Sequence, residues 1–432
     1  MTSKIFGFAI ILILVAIGVA TGFLLDYVFF YPLFMSFIWM FGGIYFYFHW
    51  ERRSPGPDVA PILKEYPFIS ILIPCYNEGK IVIEAIEAAS KQNYPNFEIV
   101  AINDGSRDDT GMVLDGLAKQ IPNLRVVHLA TNQGKAMAMR TAAIVARGEF
   151  FVCVDGDAML HPNAALYMVK PMIENARVGA VTGNPRVRSR VTMLGKVQVG
   201  EFSSIIGLIK RAQRVYGNIF TVSGVIASFR RRALHDCGYW DPNIITEDID
   251  ISWTLQMRHW QIQYEPCATV WILMPETFGG LWKQRLRWAQ GGAEVYFKNI
   301  LNIWHWRNQR MWMLVADFCF STTWAFSYAI SVVLWAMGKF MIMPKGLDVP
   351  TIWPPAFWGL VLATVSLLQF AVALTIETRY DHKLLRSLVW TVWYPLFFWS
   401  LSLFTTLIGL PKALFTRYNQ RALWESPDRG FR

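Results

Sequence analysis

Along this chain, long continuous apolar stretches stand at both ends, and short apolar runs alternate with polar segments between them. Residues Ile5 to Trp50 carry Asp26 as their one charge, with Gly and aromatic residues near the middle. That pattern predicts two membrane helices joined by a short turn. No small-residue cleavage site follows the first apolar stretch and the second comes at once, so it reads as a retained span and not a cleavable signal peptide. Met311 to Phe340, Ile352 to Ile376 and Leu388 to Leu410 are each long enough to cross a bilayer of about 30 Å. The rims Glu51-Arg52-Arg53 and Arg379 to Arg386 place the central region in the cytoplasm. An odd number of spans would put the basic stretch Lys412 to Arg432 on the far side. Either the tail departs from the positive-inside tendency or one late segment does not cross.

The central region alternates between strand and helix patterns. Ile69 to Pro74 reads as a strand, Glu78 to Gln92 as a helix and Glu98 to Asn103 as a strand. Asp104-Gly105-Ser106 turns the chain into a second helix; Arg125 to Leu129 is a third strand and Lys135 to Ala146 a third helix. Phe150 to Val154 is apolar throughout, as a strand covered on both faces should be. His161 to Asn175 reads as a helix, Gly179 to Gly183 as a strand and Phe220 to Gly224 as a short strand. Thr246 opens a helix toward His259, and Leu281 to Ile300 reads as an amphipathic helix. The alternation predicts a doubly wound, mostly parallel α/β sheet whose ligands bind beyond the carboxyl ends of the strands. The expected organisation is two spans in 1–50, a linker in 51–67, a catalytic domain in 68–275, interface helices in 276–310, about three spans in 311–410 and a basic tail in 411–432.

Polar clusters gather at the predicted strand ends: Asn77-Glu78, Asp104, Asn132-Gln133-Gly134-Lys135 and Asp155-Gly156-Asp157. Two carboxylates as close as Asp155 and Asp157 repel, and an oxygen-seeking divalent cation, Mg or Mn, is their natural neutraliser; the alternative is a plain Asp-Gly turn. Asn77 and Asp104 either cap the helices that follow them or hold a ligand. Lys135 stands at a positive helix end, which is unfavourable unless an anion is near, and is a candidate phosphate contact. Arg186, Arg188 and Arg190 read as a solvated edge. Ser223-Gly224 would let a ligand approach closely or merely close a loop. Thr246-Glu247-Asp248-Ile249-Asp250 holds more acidic and hydroxyl groups than a helix cap requires. Gln284, Arg287 and Trp288 share one helix face, suited to a site or to a membrane surface.

The formal charge of +10 raises nucleic acid as a partner, but no basic run with interleaved stacking aromatics is present. Anionic lipid headgroups and a phosphate-bearing substrate explain the charge instead. The five cysteines include no closely spaced pair, so neither a zinc site nor a disulfide framework is expected. Without a Gly-x-Gly-x-x-Gly or Walker sequence, dinucleotide and P-loop functions also lose support.

With these residues assembled, the chain resembles the processive family 2 glycosyltransferases of GT-A fold, the group that includes cellulose and hyaluronan synthases. Four elements stand in that family's order: Asn103-Asp104-Gly105-Ser106, Asp155-Gly156-Asp157, Thr246-Glu247-Asp248 and Gln284-x-x-Arg287-Trp288. The stretches Ile73 to Glu78, Val181 to Arg186 and Gly280 to Gly292 are most similar to the branch that makes bacterial poly-β-1,6-N-acetylglucosamine for biofilm export.

The resemblance implies an α/β GT-A domain inserted between transmembrane helices of the bacterial inner membrane, with the domain in the cytoplasm. It implies Asp248 as the base, with Glu247 beside it as the lesser candidate. Asp104 and Asp155 would hold uridine and ribose, with Asn77 and Glu78 bordering the nucleotide sugar. Asp157 and Asp155 would hold Mg or Mn, and Lys135 with Arg285 or Arg287 would meet the diphosphate. Trp288 and Gln284 would receive the acceptor sugar, and Ser223 with Gly224 would line that side. The implied partners are UDP-N-acetylglucosamine, the growing polysaccharide, the bilayer and a small membrane subunit, with cyclic di-GMP bound between the two; nucleic acid is not among them. An appended cyclic di-GMP domain of the cellulose synthase kind is absent from the sequence, so such regulation is expected at the partner. Other readings are a transferase of one sugar to a polyprenyl phosphate, a hyaluronan- or chitin-like synthase, and an inactive membrane scaffold.

Overall fold

A computed structural model describes the chain except residues 1, 203–205, 345, 353–355, 383, 385–387, 392–393, 417–420 and 424–432. Helices α1 (Thr2–Ala20) and α2 (Leu24–Phe46) form a hairpin, turned at Gly22 with φ +70°. In the left-handed region a glycine carries no Cβ penalty.

The polar middle contains β1 (Ile69–Cys75), α3 (Ile81–Ser90), β2 (Phe97–Asn103), α4 (Thr110–Ala118), β3 (Leu124–His128), α5 (Lys135–Val145), β4 (Phe150–Val154), β5 (Met159–Leu160), α6 (Ala164–Glu174) and β6 (Val178–Val187). Then follow α7 (Met193–Glu201), α8 (Gly207–Tyr216), β7 (Ile226–Arg230), α9 (Arg231–Cys237), α10 (Glu247–Met257) and β8 (Gln261–Ile272). One sheet runs in the order β3-β2-β1-β4-β7-β6-β8-β5. The β1/β2, β1/β4, β2/β3 and β6/β8 pairs are parallel; β4/β7, β6/β7 and β5/β8 are antiparallel. Successive strand residues face opposite sides. Ile69, Ile71 and Ile73 therefore enter one apolar core while Leu72 joins Phe151 and Cys153 in the other. This double coverage explains why β1 and β4 are apolar without alternation.

Three expectations change. Phe220 to Gly224 is a loop with a single bridge from Ser223 to Ile226, and the strand, β7, begins only after that bridge reverses the chain. The long strand β8 was not foreseen; its Glu265-Pro266 lies where the pairing with β6 shifts register, so the proline is absorbed by an irregularity. The stretch Asn184 to Arg190 is a solvated edge only at Arg188, which is exposed and pairs with Glu84 of α3; Arg186 is buried against Glu377 and Arg190 pairs with Asp381, because the end of a membrane helix covers this part of the strand.

That helix belongs to the second apolar group: α11 (Phe278–Ile303), α12 (Trp312–Met337), α13 (Ala356–Glu377), α14 (Leu388–Thr391) and α15 (Tyr394–Phe415). Five helices of the described chain are long and apolar enough to cross a membrane. Trp324 Nε1 on α12 donates to Val28 O at 2.9 Å, and Trp358 on α13 packs on Phe30. So α12 leads away from the sheet beside α2, and α13 returns to end at Glu377. Helix α15 packs on both groups: its Trp399 stacks on Trp39 of α2 and meets Trp324 of α12, while Phe397 packs on Phe278 of α11, Gly409 on Ala289 and Gln290, and Gln290 Nε2 donates to Thr416 Oγ1 at 3.3 Å. Beyond it, Ala422 N donates to Pro242 O at 3.0 Å, and Arg421 bonds Gln133. The described tail residues thus rest on the sheet domain.

Candidate active site

The carboxyl ends of β1, β2 and β4 meet the first turn of α10 at one edge of the sheet. Asn77, at φ +53°, accepts Arg107 N–H at 2.9 Å through Oδ1, and Glu78 N donates to Thr110 Oγ1 at 2.9 Å. Asn77 does not cap α3, whose first turn lacks a side-chain cap. A Cβ at Gly156 would lie 3.2 Å from Pro74 O and 3.3 Å from Glu78 Cγ. The glycine between the two aspartates is what lets them press against the β1 loop.

Asp104 is fully buried and caps no helix of its own; its carboxylate accepts Gln133 N–H at 2.8 Å and Gly134 N–H at 2.9 Å. Burial pushes it up to about 6 against the opposing pull of those two bonds. It fastens the loop that leads into Lys135. Lys135 Nζ lies 2.6 Å from Asp155 Oδ1 and 3.4 Å from Glu247 Oε1, and donates to Gly224 O at 3.0 Å. Burial disfavours its charge, but Asp155 and Glu247 outweigh burial and hold it above the usual lysine range. A first-turn lysine is therefore tolerated here because Asp155 and Glu247 lie against it and the charge of Asp248 adds to theirs.

Asp155 is raised by burial and by the charge of Asp157, while Lys135 pulls it back. Among the described residues no three His, Cys, Asp or Glu side chains form a preformed metal cage. Two carboxylates one residue apart, Asp155 held by Lys135 and Asp157 beside it, offer oxygens that fit a hard divalent cation taking its remaining ligands from phosphate and water.

Glu247 and Asp248 open α10, and Thr246 provides no cap bond. Instead Thr246 presses against Gly291 of α11, seating the acidic turn beneath the helix that carries Gln284 and Trp288. Gly224 faces Asp248 so closely that a Cβ would stand 2.9 Å from Oδ2. Burial and the neighbouring Glu247 push Asp248 up to about 6, opposed by Lys135 and Arg287. Asp250, the fourth acidic or hydroxyl group of this stretch, is taken by Lys298 at 2.8 Å.

On α11 the two arginines part. Arg285 donates to Glu201 Oε2 at 2.8 Å and lies 4.3 Å over the Trp288 ring, which commits it to orienting that indole. Arg287 is exposed, and its charge reaches Asp248. Gln284 and Trp288 are half-buried on the same face, with Trp288 against the main core.

The sheet, the acidic edge and the helix over it together match a known family. Residues 67–291 match the family described as Glycosyltransferase like family 2. A poly-beta-1,6-N-acetyl-D-glucosamine synthase of Staphylococcus epidermidis is 37% identical over 412 residues, covering 94% of this chain and 98% of that one. The chain is a family 2 glycosyltransferase. A synthase of the same description from Staphylococcus aureus (strain COL) is also 37% identical over 412 residues, with the same coverage. The fold is shared with a mannosyltransferase of Pyrobaculum calidifontis solved with GDP-Man and Mn2+, at a TM-score of 0.52 and 21% identity over 83% of this chain and 99% of that one. The glycosyltransferase fold is thus GT-A, with apolar helices on both sides of it, as the motif order implied.

Two buried polar groups outside the acidic edge were not anticipated: Lys210 bonded to Thr182, and the cluster of Glu51, Arg186, Arg211 and Glu377. No spacing rule points to either, because each depends on partners far away in the sequence.

Proposed function

We propose that this chain is a processive, inverting glycosyltransferase that polymerises N-acetylglucosamine from UDP-N-acetylglucosamine into β-1,6-linked polysaccharide and couples extension to export. The observation that carries the reading is the similarity to poly-β-1,6-N-acetylglucosamine synthases through both membrane regions, over 94% of the chain. A shared sheet domain alone would support only a sugar transferase. The catalytic domain then lies in the cytoplasm and the helices in the inner membrane.

In the transfer step Asp248 takes the proton of the acceptor hydroxyl as the glycosidic bond forms, and the bond to the nucleoside diphosphate breaks on the opposite face. Gly224 leaves space for that hydroxyl. Lys135 and Arg287 supply positive charge toward the departing diphosphate. Asp157, with Asp155, would hold Mg or Mn, which would supply Lewis-acid neutralisation of the diphosphate. Asp104 fixes the Gln133-Gly134 loop under the nucleotide, and Asn77 and Glu78 border it. Trp288, oriented by Arg285, offers an apolar face to the acceptor sugar, with Gln284 and Ser223 beside it. A small membrane subunit, with cyclic di-GMP at its interface, completes the assembly.

The test uses membranes containing the full chain, Mg or Mn, and radiolabelled UDP-N-acetylglucosamine, with size analysis and digestion by a β-1,6-specific hexosaminidase. Long digestible polymer is expected. One labelled sugar on lipid would instead establish a single-transfer enzyme, and a polymer that resists digestion another linkage.

A further inference from the structure

Glu201 is the last residue of α7, its side chain is only 3% exposed, and the mechanism above leaves it unused. Its Oε2 accepts Arg285 Nη2 of α11 at 2.8 Å, and among the described residues Arg285 is its one ion-pair partner. The Arg285 guanidinium in turn lies 4.3 Å over the Trp288 ring. Glu201 therefore reaches the indole through a single intermediary.

Helix α7 is placed to make that contact. Thr192 caps it by accepting the Gly195 N–H at 3.0 Å, and its buried polar residues Gln198 and Glu201, at i and i+3, share one face. Gln198 Nε2 donates to Pro275 O at 2.7 Å, just before α11 begins, and Glu201 holds Arg285 further along that helix. Two polar side chains thus brace α7 along the part of α11 that leads to Trp288. Packing alone does not call for the ion pair: desolvation offsets its attraction, and an apolar pair of similar volume would hold two helices as well. What an apolar pair would not supply is a cation held against one face of the indole.

We propose that Glu201 is a positioning residue for the acceptor: by anchoring Arg285 it fixes the guanidinium on one face of Trp288, closes that face to sugar, and so sets the face on which the end of the growing polymer stacks. The proposal rests on Trp288 being the acceptor platform of a processive enzyme. A chain end that can settle on one face only is held in one register between additions. When Arg285 is loosened the indole is free to turn, and the chain leaves sooner. The effect falls on polymer length and not on the donor, whose diphosphate is assigned to Lys135 and Arg287.

The experiment compares wild type, Glu201→Gln, Arg285→Gln, the double variant and Trp288→Ala, each full-length in membranes, by donor KM and by the length of radiolabelled product at equal donor consumption. Glu201→Gln keeps the shape and removes the charge; its product is expected to shorten by about threefold or more, the scale of one partly desolvated cation–ring contact, with donor KM within about twofold. Arg285→Gln should shorten the product at least as far, and the double variant no further than Arg285→Gln, because both residues act through one guanidinium. Unchanged length in Glu201→Gln, or in Arg285→Gln should that variant alone fold, would overturn the proposal however far activity fell, since loss of rate without loss of length is what a merely structural role gives. A double variant that multiplies the two single effects would overturn it too, by placing Glu201 outside the path to Trp288. Trp288→Ala separates the two readings: if it shortens the product and Glu201→Gln does not, Glu201 alone is misassigned; if it leaves length unchanged, or if wild type adds a single sugar, the reading beneath the proposal falls with it.

Discussion

Arg211 donates two hydrogen bonds to Glu51, both 2.7 Å long, and neither side chain is exposed. Glu51 closes the first membrane hairpin and Arg211 belongs to the sheet domain. Arg211 and Arg186 also converge on Glu377, the last residue of α13. Two membrane helices and the catalytic sheet thus share one buried charge cluster. Its attraction is offset by desolvation, so its chief effect is to fix how the membrane helices meet the sheet.

Arg211→Met is expected to leave Glu51 and Glu377 undercompensated, destabilising the protein by about 3–5 kcal/mol, the range for breaking a buried pair. The midpoint of thermal unfolding in detergent should fall clearly. Adding Glu51→Gln to Arg211→Met should recover part of the loss, because one orphaned charge is removed. A midpoint unchanged by Arg211→Met would show that the cluster does not hold the two parts together.

Asp248, pushed up to about 6 by burial and Glu247, predicts the acid limb of the reaction. The base proposed above works as a carboxylate. A group raised in this way is ionised above its folded value and protonated below it, so activity should fall about tenfold per unit once pH drops well below 6. Initial rates at saturating donor between pH 5 and 8 test this. Asp248→Asn should abolish transfer at every pH while leaving donor binding nearly intact.

How much of this was readable before the structure depended on range. Strands β1, β2 and β4 and the acids at their ends were legible, since local apolar runs and turn residues specify them. The place of Asp248 in the first turn of a helix was legible from the sequence around it, although its contact with Gly224 was not. Arg186 was misread because Glu377, which buries it, stands 191 residues later. Strand β8 shows polar and apolar alternation only from Gln261 to Glu265 and then carries Pro266, which a strand interior disfavours; the register shift that accommodates the proline is a tertiary feature. Lys210 was missed for the same reason as Arg186: a lone lysine in a helix says nothing until Thr182 and Ser223 are beside it.

Asp157 and Asp155 predict metal dependence with separable parts. Chelation by EDTA should abolish transfer, and added Mg or Mn should restore it. Asp157→Ala should lose metal-dependent donor binding, measured as UDP-N-acetylglucosamine affinity with and without metal, because a single carboxylate already held by Lys135 at 2.6 Å remains. Equal donor affinity for wild type and Asp157→Ala in saturating metal would remove Asp157 from the site.

The tail makes the last prediction. Arg421 bonds Gln133, Ala422 N reaches Pro242 O at 3.0 Å, and Ala422 O lies directly over Gly134, where an added Cβ would collide with it. Gly134 has φ +88°, and its N–H is one of the two that Asp104 holds, so the tail rests on the loop assigned here to the nucleotide. A cysteine pair at Gln133 and Arg421 should therefore form an intramolecular disulfide in oxidised membranes, and a cysteine at Arg421 alone should resist a membrane-impermeant thiol reagent applied to intact cells. Labelling from outside, with no crosslink, would mean that α15 crosses the bilayer. Gly134→Ala should raise donor KM by about tenfold or more, since φ +88° with ψ 155° lies in a region essentially confined to glycine, at a cost of about 1–3 kcal/mol to other residues, before the collision with Ala422 is counted. If removing the residues after Thr416 lowers that KM toward the wild-type value, the collision is the larger part; if it does not, the strain on the Asp104 loop is.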